Sequence, residues 1–437
     1  MFWHYIDLSW RSFKRTPMVT VLMVLAIAAG IGITMTSLSV YHMMAMDPMP
    51  HKSSQLFHPQ LNARDDGDDW WTEDNLPHQM TYKDAMNLYR ADIPRLKAPS
   101  MRTGFSVNLN SPDVKPFIES VRMTSRSFFS MFEFSFIHGA PWSQGQEESA
   151  AMVTVISRSM SETLFGQSDS VGENVYFDDN VFQIVGVYED FDYHVKFYDL
   201  TNGAFNRAEN AMIPITLIPP LKAQTWGNTN GWKFEEINSY QDMLNSEQAW
   251  LQFWVQLDTT EEEKEYREFL TNYLIEQESL GRFEREEVHF ALRNLTQWMT
   301  YNRVVTEDNR ILVSASFMFL TVCLANILGL LLGKFLRRVP EVGVRRALGA
   351  NKRQVFLQHL VEVGLLGFIG GIIGIGIAQL GLWGVRATYS YYSAIATMDI
   401  SMLLAAPAIA IGACVIAGIY PAWLVCRTNP AICLKTQ

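Results

Sequence analysis

Four stretches of this 437-residue chain contain no Asp, Glu, Lys or Arg: Thr16–Met46, Ile311–Gly333, Val363–Val385 and Ile400–Cys426. A helix needs roughly 20 apolar residues to cross the hydrocarbon of a bilayer, and each stretch is that long. The first is too long for a secretory signal, whose apolar core runs only about 7–15 residues. The expected fold is an α-helical membrane protein with four transmembrane helices and a large α+β extracytoplasmic domain inserted between the first and second. The divisions follow: an N-terminal helix at 1–16, spans at 17–46, 310–334, 355–385 and 401–426, and the inserted domain at 47–309. A β-rich subdomain is expected at about 103–235, a basic loop at 335–354, a short external loop at 386–400 and a tail at 427–437.

Charge divides along the same lines. Between Met46 and Arg310 there are 41 acidic and 22 basic residues, a balance of −19, and the remainder of the chain carries +9. Arg11, Lys14 and Arg15 precede the first span. Lys334, Arg337, Arg338, Arg345, Arg346, Lys352 and Arg353 lie between the second and third, whereas 386–401 holds one cation, Arg386. Short loops rich in Lys and Arg stay in the cytoplasm, so both termini are expected there and the acidic domain outside. With charge sorted by compartment, membrane lipids are expected partners and nucleic acid is not. All four cysteines (Cys323, Cys414, Cys426 and Cys433) fall in the spans or at their edge, so the inserted domain has to fold without disulfides.

Residues 1–15 put Phe2, Trp3, Ile6, Trp10 and Phe13 on one helical face and Asp7, Arg11, Lys14 and Arg15 on the other, the pattern of a helix lying in the membrane interface. The run Asp65, Asp66, Gly67, Asp68, Asp69 lacks the order and distal Glu of a calcium loop and reads as a solvated acidic turn next to Trp70 and Trp71. Strands are expected at Ala151–Ser157, Glu173–Asp179 and Val181–Asp190, with a short helix at Arg158–Phe165. Asp258–Gln277 reads as an amphipathic helix capped by Thr259 or Thr260, and a further helix is expected from Leu295 towards the second span. In the third span, the pairs Gly367/Gly371 and Gly370/Gly374 permit close helix approach. Asn326 in the second span is a candidate for a hydrogen bond across helices.

Glu362, beside His359, stands early in the third span. Intramembrane acids are costly and often functional. Two readings are open: a proton relay, or an ion pair with the arginines of the basic loop, the second being expected. Neither metal-ligand spacing nor a Ser-His-Asp, Cys-His or paired-carboxylate grouping stands out. The string from Gly329 to Lys334 is one residue short of a nucleotide-binding loop and lacks its Ser/Thr. Enzyme chemistry is therefore not expected of this chain by itself.

The basic loop has its own wording: Pro340, Glu341, Val342, Gly343, Val344, Arg345, Arg346, Ala347, Leu348, Gly349 and Ala350, followed by Val355. This resembles the coupling-helix signature of MacB/FtsX-type (type VII) ABC transporter permeases. The resemblance extends to Phe128, Phe129, Phe132, Gly139, Val153, Ser157, Gly166, Gly172 and Val185–Val187 in the inserted domain. It also covers the closing Tyr420, Pro421, Ala422, Pro430 and Leu434, although Lys435 stands where the family usually has Arg. The resemblance implies that the loop docks onto a separate ATPase subunit, which binds the ATP and Mg, while this chain binds no cofactor. It implies a second permease chain, and a periplasmic adaptor and outer-membrane channel as further partners. It also implies a mechanotransmission cycle in the bacterial inner membrane that exports a peptide, antibiotic or other amphiphile. Lipoprotein extraction, or a non-transporting receptor or scaffold, is the alternative. The acidic external domain is expected to favour cationic cargo.

Overall fold

Apolar side chains all around a helix suit it to lipid rather than to a water-facing surface, and four helices of this kind dominate the computed structural model. The structure describes residues 2–65, 67, 72, 74–110, 114–191, 193–285, 287–388 and 396–427. The spans are Pro17–Ala45, Glu307–Leu336, Lys352–Thr388 and Ile400–Arg427, each long and apolar enough to cross a membrane. With the helices Phe2–Arg15 and Val339–Ala347 they form one compact unit, and Asp47–Val304 forms the other. Asp66, Asp68, Asp69, Trp70, Trp71, Pro430, Cys433, Leu434 and Lys435 lie outside the described residues, as does all of the expected tail except Arg427.

The third span is the centre of the bundle because its glycines remove side chains on two faces. A Cβ on Gly367 would come within 2.8 Å of the Ala410 carbonyl oxygen, and one on Gly371 within 2.9 Å of the Ala410 Cβ, so this pair seats the fourth span. A Cβ on Gly370 would lie 2.5 Å from Ile27, and one on Gly374 2.9 Å from Ile31, so this pair seats the first. The two G-x-x-x-G pairs are offset by three residues and serve two different neighbours. Facing outwards are Met318, Val322, Ile372, Leu380, Leu404 and Ile416, all exposed, which suits contact with lipid. Cys323, Cys414 and Cys426 are buried free thiols.

The Asp47–Val304 unit is built on one mixed sheet. Its strands are β1 Leu56–Leu61, β2 Met80–Thr81, β3 Leu96–Asn108, β4 Phe117–Thr124, β5 Phe136–Gly139, β6 Val153–Ser157, β7 Asn174–Phe177, β8 Asn180–Tyr188, β9 Ala211–Pro214, β10 Ala249–Gln256 and β11 Phe290–Asn294. They run in the order β11-β1-β10-β3-β4-β9-β6-β8-β5, with β2 against β10 and β7 against β3 and β8. The β4–β9 and β6–β8 pairs are parallel. The sheet is wider than the subdomain expected at 103–235. All of β1 and all but the last residue of β10 are buried, so neither shows the alternation that marks a half-exposed strand. Thr259 caps the helix Thr260–Ser279 by accepting from the Glu262 amide at 3.2 Å. The helix from Leu295 does not run on into the second span. It ends at Tyr301, and a new helix starts at Glu307 behind the Thr306 cap.

Two buried charge and aromatic groups organise this unit. Arg122, fully buried on β4, reaches Asp199 at 2.5 Å and Glu209 at 2.9 Å, and Lys196 binds Glu209 as well. Burial alone would raise the pKa of Glu209, but the charges of Arg122 and Lys196 hold it well below the usual carboxylate range. Two cations against two carboxylates leave no net buried charge. On β1, the fully buried His58 stacks on Trp298 with ring centroids 3.8 Å apart and meets the edge of Trp254 at 5.2 Å.

The aromatic slot of His58 disfavours its charged form. Burial lowers its pKa from 6.5 to about 3, with His78 and Arg293 adding to the effect and Gln252 opposing it; burial lowers His78 to about 4. A histidine whose folded pKa is depressed contributes stability that is present above the unfolded pKa and lost as pH falls below it. Unfolding of residues 47–304 in denaturant should therefore show stability falling from about pH 6.5 downwards. His58 alone should contribute roughly 2 kcal/mol of the loss by about pH 5, and a His58→Phe variant should lose less. A flat profile across that window would contradict the assignment.

Candidate coupling surface and buried ion pair

The loop between the second and third spans folds as a hairpin around the short helix Val339–Ala347. Pro340 stands in its first turn, where a missing amide costs nothing. Glu341 near its start and Arg345 and Arg346 at its end suit the helix dipole. Gly349 ends it with φ of +103°: its amide bonds to the Arg346 carbonyl at 3.1 Å, and the Ala350 amide to the Arg345 carbonyl at 3.0 Å. That pair of bonds is a Schellman cap, which glycine accommodates without strain.

The polar groups of this helix are turned onto their own chain. Arg345 pairs with Glu341 at 2.6 Å, Arg15 of the N-terminal helix reaches Glu341 at 3.4 Å, and Arg346 donates to the Cys426 carbonyl at 3.2 Å. Gly343 is buried, and so is Val342 at 6% exposure, whereas Val344 is 47% and Leu348 83% exposed. Pro340 and Ala347 are exposed too. Residues 340, 344, 347 and 348 fall on one helical face, so the hairpin presents an apolar stripe to its surroundings.

Glu362 pairs with one arginine of the basic loop, Arg338, but not with Arg345 or Arg346, and its nearer partner is a lysine of the second span. Its carboxylate is 2.7 Å from Lys334 of the second span and 3.5 Å from Arg338, and it accepts a hydrogen bond from the Ser12 hydroxyl of the N-terminal helix. Arg345 and Arg346 are engaged elsewhere. Both Lys334 and Glu362 have side chains only 1% exposed, and Lys334 also lies over the Phe13 ring at 5.0 Å. The sequence held one signal for this: Lys334 and Arg338 are four residues apart, which points both at the same neighbour. His359, also buried, holds Nδ1 3.8 Å from Glu362 and packs on Phe335 with centroids 4.2 Å apart. A carboxylate tied between two cations is poorly suited to relay protons. Asn326 is exposed on the outer face of its span rather than turned towards the other helices of this chain. Among the described residues no group of three or more His, Cys, Asp or Glu could hold a metal ion.

A family model described as a MacB-like periplasmic core domain matches residues 20–273, and one described as an FtsX-like permease C-terminal region matches residues 313–430. Similar curated proteins include the pyoverdine export ATP-binding/permease protein PvdT of Pseudomonas syringae pv. syringae. It is 25% identical over 311 residues, which cover 71% of this chain and 42% of that one. The macrolide export ATP-binding/permease protein MacB of Haemophilus ducreyi is 22% identical over 321 residues, 73% and 40% of the two chains. An uncharacterized ABC transporter permease of Bacillus subtilis, YvrN, is 20% identical over 313 residues, 69% of each. The chain thus spans less than half the length of the first two. Among solved structures, the periplasmic region of MacB from Actinobacillus actinomycetemcomitans aligns at 12% identity with a TM-score of 0.36, covering 57% of this chain and 94% of that one.

The ion pair makes a direct prediction. Glu362→Gln would leave Lys334 buried without its counter-charge, which typically costs about 3–5 kcal/mol. Thermal unfolding of the detergent-solubilised protein should shift down accordingly, and Lys334→Met in the same background should recover most of the loss. A Glu362→Gln variant as stable as the parent would contradict the pairing.

Proposed function

This chain belongs to the MacB/FtsX-type permease family, and on that premise we propose that it is the permease subunit of an ATP-driven exporter. A separate ATPase subunit binds ATP and Mg and docks on the Val339–Ala347 hairpin. Its closure moves the hairpin, and the spans pass that motion to the Asp47–Val304 unit outside the membrane. Both termini lie in the cytoplasm of a bacterial inner-membrane protein. The observation that carries this reading is the stripe of Pro340, Val344, Ala347 and Leu348. It is apolar and exposed, on a helix whose charged residues are already occupied within the chain. Solvent-facing apolar side chains of this kind suit a protein partner. Val342 takes no part in the stripe because it is buried against its own bundle. Asn326 favours a second permease chain, since a polar group facing lipid is costly and a neighbouring helix relieves that cost. A periplasmic adaptor and an outer-membrane channel complete the export route.

The cargo is a peptide, antibiotic or other amphiphile, and one cleft bears on its charge. It has a volume of about 520 Å3 and is lined by Arg90, Arg95, Lys97 and Arg126 together with Glu147 and Glu148. Glu147 is already engaged by the Trp142 indole at 3.0 Å and by the Arg126 amide at 2.8 Å. The net charge of the domain suggests cationic cargo, but this cleft suits an anionic group. Exchanging Arg90 and Arg126 for Glu should abolish export of anionic amphiphiles in a resistance assay and spare cationic ones; the opposite pattern would remove the cleft from the cargo route.

The docking reading is tested at the stripe. Leu348→Asp and Val344→Asp together should reduce copurification of the ATPase subunit by roughly 30-fold or more, the scale of losing an interface hot spot. The spans should still fold, as judged by monodisperse gel filtration. Undiminished copurification would remove the stripe from the docking surface.

A further inference from the structure

We propose that the cleft between the N-terminal helix and the Val339–Ala347 hairpin binds the phosphate of an anionic phospholipid. This cleft, of about 180 Å3, is lined by Arg11, Arg15, Arg338 and Arg345 with Glu341 and His359. Its cations exceed its anions. Glu341 is shared between Arg345 at 2.6 Å and Arg15 at 3.4 Å, Glu362 is shared between Arg338 at 3.5 Å and Lys334 at 2.7 Å, and Arg11 pairs with Asp7 at 2.9 Å. Five cations against three carboxylates leave an excess of two positive charges.

A second observation points to a ligand. The imidazole of His359 is 2% exposed and lines this cleft; its Nδ1 faces Glu362 at a long 3.8 Å, and its Nε2 has no hydrogen-bond partner. A buried imidazole normally satisfies both nitrogens, so Nε2 is left wanting one. An oxygen-rich anion held by the arginines would give it an acceptor.

Size and place select a lipid. A cleft of about 180 Å3 has room for a phosphodiester but not for acyl chains, which would lie along the spans. Trp3 and Trp10 are exposed on the same N-terminal helix, which suits it to headgroup level. Basic pockets between helices at the cytoplasmic face are suited to anionic headgroups. The phosphate of a zwitterionic lipid is cancelled by its own cation, so the two uncompensated charges favour an anionic lipid. Bridging Arg15 and Arg345, the phosphate would clamp the hairpin to the N-terminal helix and make its position depend on bilayer composition. That consequence rests on the hairpin being the docking element; the binding does not.

Native mass spectrometry of the full chain, titrated separately with phosphatidylglycerol, phosphatidylcholine of the same acyl chains, and inorganic phosphate, tests the site. Phosphatidylglycerol should be retained at the lowest concentration. Arg15→Gln or Arg345→Gln should each weaken it by roughly five-fold and the pair by roughly thirty-fold. Arg11→Gln, on an exposed side chain that the fold does not need, should give a similar five-fold loss. Lys14→Gln, exposed on the same helix but outside the cleft, should leave retention unchanged. Equal retention of the two lipids, an equal effect of Lys14→Gln, or a preference for inorganic phosphate would overturn the proposal. No ATPase subunit is present in this assay, so its failure is separate from a failure of the docking reading.

Discussion

A carboxylate inside a low-dielectric bundle has to be neutralised where it stands, and Glu362 is held by two cations and a hydroxyl from three other elements. Lys334 closes on it from the second span, Arg338 from the turn before the hairpin, and Ser12 from the N-terminal helix. Breaking such a pair is costly, although its formation adds little net stability. Its role is better described as fixing geometry. It holds the N-terminal helix, the hairpin root and the third span in one arrangement at the end of the bundle where the exposed apolar stripe lies.

The third span transmits that arrangement along its length. Through Gly367 and Gly371 it touches the fourth span nearly backbone to backbone, and through Gly370 and Gly374 it accepts Ile27 and Ile31 of the first. Contacts this close leave little room for one helix to shift without the others. The result is a rigid cluster of spans anchored to the hairpin root by a buried ion pair, an arrangement suited to the motion transfer proposed above.

Much of this was legible from local chemistry. The spans follow from uncharged length, the Thr259 cap from its side chain and the acids that follow it, and the strands β6 and β8 from their β-branched runs. The glycine pairs announced close approach, although not that each pair would serve a different neighbour. Strands β1 and β10 escaped because they are buried on both faces and lose the period-two signal. Of the two partners of Glu362, Arg338 lies in the loop where one was expected, whereas Lys334 escaped for another reason. Lys334 is 28 residues earlier, and only the hairpin's turn decides whether it or Arg345 arrives first. The same turn decides that Val342 faces inwards while Val344 and Leu348 face out, a distinction that a nine-residue helix does not carry in its own periodicity.

The function proposed for this chain turns on whether an ATPase subunit sits on the hairpin's exposed stripe. The most direct measurement places a photo-crosslinking residue at Leu348 in cells and, in a parallel strain, at Asp399 beyond the other end of the third span. Adducts to a nucleotide-binding subunit are expected from Leu348, with a yield that changes when ATP is depleted, and none from Asp399. Adducts of that subunit from both positions alike, or only lipid adducts from Leu348, would contradict docking on the stripe.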